Sequence, residues 1–162
     1  MVDQNNELPV VQKLLDRIVA STQRLVALDS SGTGELLAQL RVLAMRSGTS
    51  IYVWEPENGL ASLREGGVGV PGSKRLTDAL RFVLQSMHFG IYLFTGFEPH
   101  LKAADTLLLR RISRSPAPNE RKLVFIGSGF ELPEELEGMF ERLTAESEMH
   151  RKLRLRDGRW VT

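Results

Sequence analysis

The sequence predicts an α/β domain, a three-layer α/β/α sandwich built on a mainly parallel, five-stranded sheet. Short apolar runs alternate with stretches of helical period along most of the 162 residues. That alternation implies right-handed crossovers between parallel strands, with helices on both sheet faces. The first four apolar runs are almost free of polar residues, as strands covered on both faces should be. A chain of this length suits one domain, which buries roughly 70% of its unfolded surface without needing a disulfide or structural metal.

The elements follow in order. Residues 1–8 are polar and read as a flexible tail, leaving 9–162 as the single domain. Val10, Val11, Leu14, Leu15, Ile18 and Val19 recur at helical spacing, so an extra N-terminal helix precedes the sheet. Pro9 suits its first turn, where a missing N–H costs nothing. Arg24–Leu28 is the first strand and Ser31–Ser47 a helix, with Ser31 and Thr33 as caps. Ser50–Trp54 is a second strand, rich in β-branched and aromatic residues, and Lys74–Met87 a helix. Gly90–Phe94 and Lys122–Ile126 are the third and fourth strands, separated by a helix over Ala103–Ser113. Pro133–Thr144 reads as a further helix. Leu153 and Leu155 alternate with charged neighbours in Arg151–Arg156, and an Asp157-Gly158 turn leads to Arg159–Val161. This is the signature of a C-terminal edge strand or hairpin. Glu55–Ser73 is a long glycine-rich loop, and Ser115–Glu120 a proline-punctuated turn.

Composition removes several function classes. The chain has no cysteine, which excludes disulfides, thiolate metal sites and cysteine nucleophiles together. The polar start lacks the basic-then-apolar pattern of a signal peptide, and no apolar run approaches the ~20 residues that span a bilayer. A cytoplasmic protein with no membrane partner is expected. Net charge is +1, which gives no global attraction to nucleic acid. The chain is acidic over Glu131–Glu148 and basic over His150–Arg159, an asymmetry that suggests a local ion-paired surface. The basic stretch reads as a charged edge that deters strand pairing, so nucleic acid is not an expected partner.

Ligands of open parallel sheets bind beyond the carboxyl ends of the strands. Four loops lie there. Asp29–Glu35 has two glycines at a helix start but no cation before Arg41, so it reads as a capped helix start with Glu35 in the first turn. Gly67-Val68-Gly69-Val70-Pro71-Gly72-Ser73-Lys74 has the glycine spacing of GxxxxGK[ST] with serine and lysine exchanged. It also satisfies GxGxxG, but it begins a dozen residues after its strand instead of directly after it. Thr95–His100 offers one carboxylate, Glu98, and one imidazole, His100, too few to hold magnesium. Ile126–Phe130 fails G-x-S-x-G because Ile126 stands at its first position. His88, His100 and His150 have no metal-ligand spacing. The reading assigns no catalytic residue, metal or cofactor. It leaves Gly67, Gly69, Gly72, Ser73 and Lys74 as candidate anion-binding residues.

Several segments taken together point to a family. They are Ile51–Trp54 with Gly59-Leu60, Leu76–Leu84, Phe97–Leu101 and Glu131–Leu136, in that order. The set resembles the N-terminal domain of chloroplast-type and cyanobacterial-type AAA ATPases, over roughly residues 24–145. The resemblance implies a degenerate P-loop/RecA-like sheet, with the first strand central and the fourth beside it. It also implies packing and turn roles for Trp54, Phe97, Pro99 and Pro133. The 162 residues contain no AAA module, no GxxxxGK[ST] and no paired acids for magnesium, so the family's ATPase activity is not expected here. The expected role is a non-catalytic interaction or regulatory module whose partner is a protein: a separate AAA-type ATPase, or a second copy in a homodimer. The expected contact regions are the Glu55–Ser73 loop and the acidic helix after Glu131. The alternative is a nucleotide- or anion-binding domain using Gly67–Lys74.

Overall fold

The computed structural model describes residues 4–64, 69–86, 89–115 and 121–149, with side chains from Pro9 onward. Helix α1 (Gln4–Ala20) leads into β1 (Leu25–Asp29), α2 (Thr33–Ser47) and β2 (Ile51–Glu55). A tight turn reverses the chain into β3 (Gly59–Ser62), and α3 (Leu76–Gln85) and β4 (Gly90–Thr95) follow. A short 3-10 turn at Glu98–His100 precedes α4 (Ala103–Arg114) and β5 (Arg121–Gly127). Last come the single turn α5 (Glu134–Glu137), β6 (Phe140–Thr144) and α6 (Ala145–Met149).

The strands form one sheet in the order β3-β2-β4-β5-β1-β6, parallel throughout except for the β2–β3 pair. The first strand therefore lies beside the strand at 121–127, as the resemblance implied, but it is next to the edge strand β6 and not central. Among the described residues the sheet has six strands where five were expected, because β3 adds a strand at the far edge. Strand pleating sends alternate side chains to opposite faces. Leu25, Ala27, Leu123 and Phe125 meet Leu80 of α3, Leu109 of α4 and Leu136 of α5. Val26, Leu28, Val124 and Ile126 meet Leu14 of α1, Leu40 of α2 and Ala145 of α6. Two apolar cores thus sandwich the sheet. Stacked and edge-on rings of Phe94, Phe97, Phe125 and Phe140 fill much of the first.

At the amino ends of the strands, three cations close the helix C-termini, where unpaired carbonyls attract positive charge. Arg121 donates to the carbonyls of Val83 (2.5 Å), Leu84 (2.7 Å) and Ser86 (3.3 Å) at the end of α3. Lys122 donates to the carbonyls of Ser21 (2.5 Å) and Gln23 (2.9 Å) after α1. Arg24 reaches the carbonyl of Ile112 near the end of α4, at 3.3 Å. Arg121 and Lys122 are buried, and their charges serve to hold the fold together.

Several element boundaries differ from the sequence reading. The helix expected over Pro133–Thr144 is one turn of helix followed by β6. Leu136, Met139, Phe140 and Leu143 mimic a helical period, but Phe140 packs into the first core and Leu143 into the second, on opposite faces of a strand. The loop at 55–73 contains β3, an antiparallel edge strand. Helix α1 starts at Gln4, inside the expected tail, and Pro9 sits within it. That costs one ladder bond near an end that is already short of partners. The C-terminal edge strand or hairpin expected over 151–161 lies outside the described residues; among the described residues β6 holds the sheet edge beside β1. Among the described residues, no helix is long and apolar enough to cross a membrane.

Candidate functional site

Helix α2 leaves β1 toward one face of the sheet, and α5 leaves the adjacent β5 toward the other. The carboxyl ends of these two strands therefore frame the crevice where such sheets bind ligands. The loops after β1 and β5 are held together there. The Ser30 N–H donates to the Gly127 carbonyl at 2.9 Å, and the Gly129 N–H donates to Asp29 Oδ1 at 3.1 Å.

Two N–H groups of the loop after β1, those of Ser31 and Gly32, already have acceptors from the protein itself. Ser31 donates both its N–H (3.1 Å) and its hydroxyl (3.0 Å) to Glu146 Oε1, and the Gly32 N–H donates to Ser30 Oγ at 3.3 Å. A carboxylate thus sits at the start of α2, where the helix dipole favours an anion. The Glu146 carboxyl is held below its ordinary range first by its own backbone N–H. Partial burial opposes this, and the Ser31 N–H and the Ser31 and Ser30 hydroxyls add to the lowering. Ser31 was expected to cap α2, but Gly32 is the cap residue and no side chain caps the helix start. Ser31 instead ties the helix start to α6. Sequence reasoning saw the missing cation in this loop but not Glu146, which lies 115 positions away.

The candidate anion-binding residues divide. Gly67 lies outside the described residues. Gly69, Gly72, Ser73 and Lys74 line a groove of about 480 Å³ with Arg75 and Asp78 at the start of α3. The Ser73 hydroxyl is committed elsewhere: it accepts the Leu60 N–H (2.9 Å) and donates to the Val70 carbonyl (2.6 Å), and the residue is 2% exposed. The Trp54 indole N–H donates to the Ser73 carbonyl at 2.9 Å. Gly59 has φ +73°, and a Cβ there would stand 2.9 Å from Ser73 Oγ, so the hairpin and the serine need each other's geometry. Lys74 and Arg75 are exposed, and no side chain caps the N-terminus of α3. Glycines, lysine and helix start come together, while the serine is turned inward.

The other two loops are built for packing. Phe97 is buried, and Thr95 Oγ1 donates to the Trp54 carbonyl at 3.0 Å. His100 is exposed and lies edge-on to Trp54 with ring centroids 5.9 Å apart, while Glu98 is exposed. Ser128, also exposed, follows Gly127. Among the described residues no three His, Asp or Glu side chains cluster so as to hold a metal. The acidic 131–149 region is ion-paired in part: Glu137 with Arg142 at 3.0 Å, and Glu141 with Arg17. Residues 150–159, the basic stretch, lie outside the described residues.

Residues 11–145 match the family model of the SpoVK-like AAA ATPase, N-terminal domain. A search of curated proteins finds no match.

Proposed function

The chain belongs to the SpoVK-like AAA ATPase N-terminal domain family, and from that premise we propose that it is a non-catalytic, cytoplasmic protein-interaction or regulatory module, not an enzyme. One observation carries the reading: the loop ends that would receive a triphosphate hold the Asp29 and Glu146 carboxylates, and no lysine or arginine occurs in the chain between Asp29 and Arg41. A polyanion entering there meets repulsion where a working phosphate loop supplies attraction. The family suggests an AAA-type ATPase as the natural partner, with a second copy of the chain as the other. The contact regions we favour are the groove along Gly69–Arg75 and the acidic turn at α5, whose Glu134 and Glu135 are exposed. Calorimetry of the whole chain with magnesium and ATP should give no binding heat at micromolar concentrations. A micromolar dissociation constant would end this reading.

A second reading, an anion-binding domain, is favoured by the placement of Lys74 and Arg75 at the uncapped start of α3 on the same groove. It requires that Lys74→Ala weaken the binding of a phosphate-bearing ligand while Lys102→Ala leaves it intact. Equal behaviour of the two variants removes it.

A further inference from the structure

Helix α6 is five residues long, too short to hold its shape by its own backbone bonds. It must be kept in place by what it touches, and three stitches are visible. Glu146 takes two hydrogen bonds from Ser31. The Glu148 carboxylate lies 3.9 Å from the Arg17 guanidinium of α1. Ala145 is buried in the second core, and Met149 packs against it. The Glu148–Arg17 pair is long and partly exposed, so it contributes little. Glu146 is different: it accepts a main-chain N–H and a hydroxyl from the same residue, and hydrogen bonds to a charged group are the stronger kind.

We infer that α6 is a strap across the loop after β1, with Glu146 as its clasp: an internal carboxylate that takes the Ser31 N–H and hydroxyl just before α2 and so couples that loop to α6. Closed, the strap keeps external anions off the loop and holds α6 beside it. Open, it frees α6 and leaves the Ser31 N–H and hydroxyl without their acceptor. The two states are therefore exclusive. A partner that displaces α6 changes the loop, and an anion that takes the loop releases α6. The strap operates whatever the domain binds elsewhere, so it does not rest on the identity of the partner proposed above.

Hydrogen exchange on the whole chain tests this through two peptides, one spanning Leu28–Leu36 and one spanning Phe140–Met149. In Glu146→Ala both should exchange about tenfold faster, since the lost bonds are made to a charged group. Glu146→Gln, which keeps one carbonyl acceptor, should fall between Glu146→Ala and the natural chain. A peptide spanning Leu123–Ile126 in the sheet centre should stay unchanged in both, which separates strap opening from failure to fold. Adding millimolar inorganic phosphate to Glu146→Ala should slow the Leu28–Leu36 peptide again and leave the α6 peptide fast. The proposal is overturned if Glu146→Gln and Glu146→Ala leave the loop peptide as protected as in the natural chain. It is equally overturned if phosphate fails to restore the loop, or protects α6 together with it.

Discussion

Ser73 and Lys74 stand side by side in the one segment whose glycine spacing suggested phosphate, and the fold uses them for different ends. The serine hydroxyl is buried between the Leu60 N–H and the Val70 carbonyl, fastening the glycine segment to β3. The lysine is exposed at the start of α3. Removing a buried hydroxyl leaves both partners unsatisfied, at a cost of about 1–3 kcal/mol, whereas an exposed lysine away from any partner contributes within about ±0.5 kcal/mol. Ser73→Ala should therefore lower the urea midpoint with no change in slope, and Lys74→Ala should leave the midpoint where it is. A midpoint for Ser73→Ala equal to that of the natural chain would show that the hydroxyl does not fasten the loop. The contrast also explains why exchanging these two residues relative to a phosphate-loop signature matters. The side chain that would face a metal or phosphate points into the hairpin, and only the amine remains outside.

At the level of elements, the signals that could be read were those carried by local period. The strands at 25–29, 51–55, 90–95 and 121–127 are apolar on both faces, and α2, α3 and α4 carry apolar stripes, so each is legible within a residue or two. Two strands were not. In β6, Phe140 and Leu143 are three apart and each faces a different core, a spacing that a helix and a two-sided edge strand share. What separates them is Gly138, which ends α5 after one turn, and the register of 140–144 alongside β1, which only the assembled sheet reveals. The edge strand β3 is four residues long, two of them Gly59 and Ser62. Its identity as a strand comes from pairing with β2 and from the Ser73 fastening, not from its own propensity. The candidate site divides in the same way. Its lack of a cation is a composition fact, visible in Asp29–Glu35. Its occupation by Glu146 depends on α6 packing beside α1 and reaching the loop after β1, and no spacing in the chain encodes that contact.

For the whole molecule, charge follows the polarity of the fold. Every long helix in this parallel arrangement points its N-terminus toward the carboxyl ends of the strands. Acidic residues gather there, Glu35 on α2 and Asp78 on α3, while Arg24, Arg121 and Lys122 close the helices at the opposite end. This arrangement sets how stability depends on pH. Glu141 lies below the usual value of 4.5, chiefly through the Ser21 hydroxyl and then Arg17, and Glu146 lies below it through the backbone and Ser31. A carboxylate with a depressed folded pKa contributes stability that is present above 4.5 and disappears as pH falls through the lower folded value. Tyr92 behaves in the opposite sense. Burial pushes its phenol above 10.0, outweighing the Ser86 hydrogen bond, so its contribution is intact below 10.0 and is lost as pH rises through the higher folded value. Urea midpoints measured across pH should form a plateau between those limits, with both flanks falling. The double change Glu141→Gln with Glu146→Gln should flatten the acid flank alone, and Tyr92→Phe the alkaline flank alone. If the double variant loses stability on acidification as steeply as the natural chain, then the carboxylates binding α1 and α6 to the sheet are not what holds that end of the molecule together against acid.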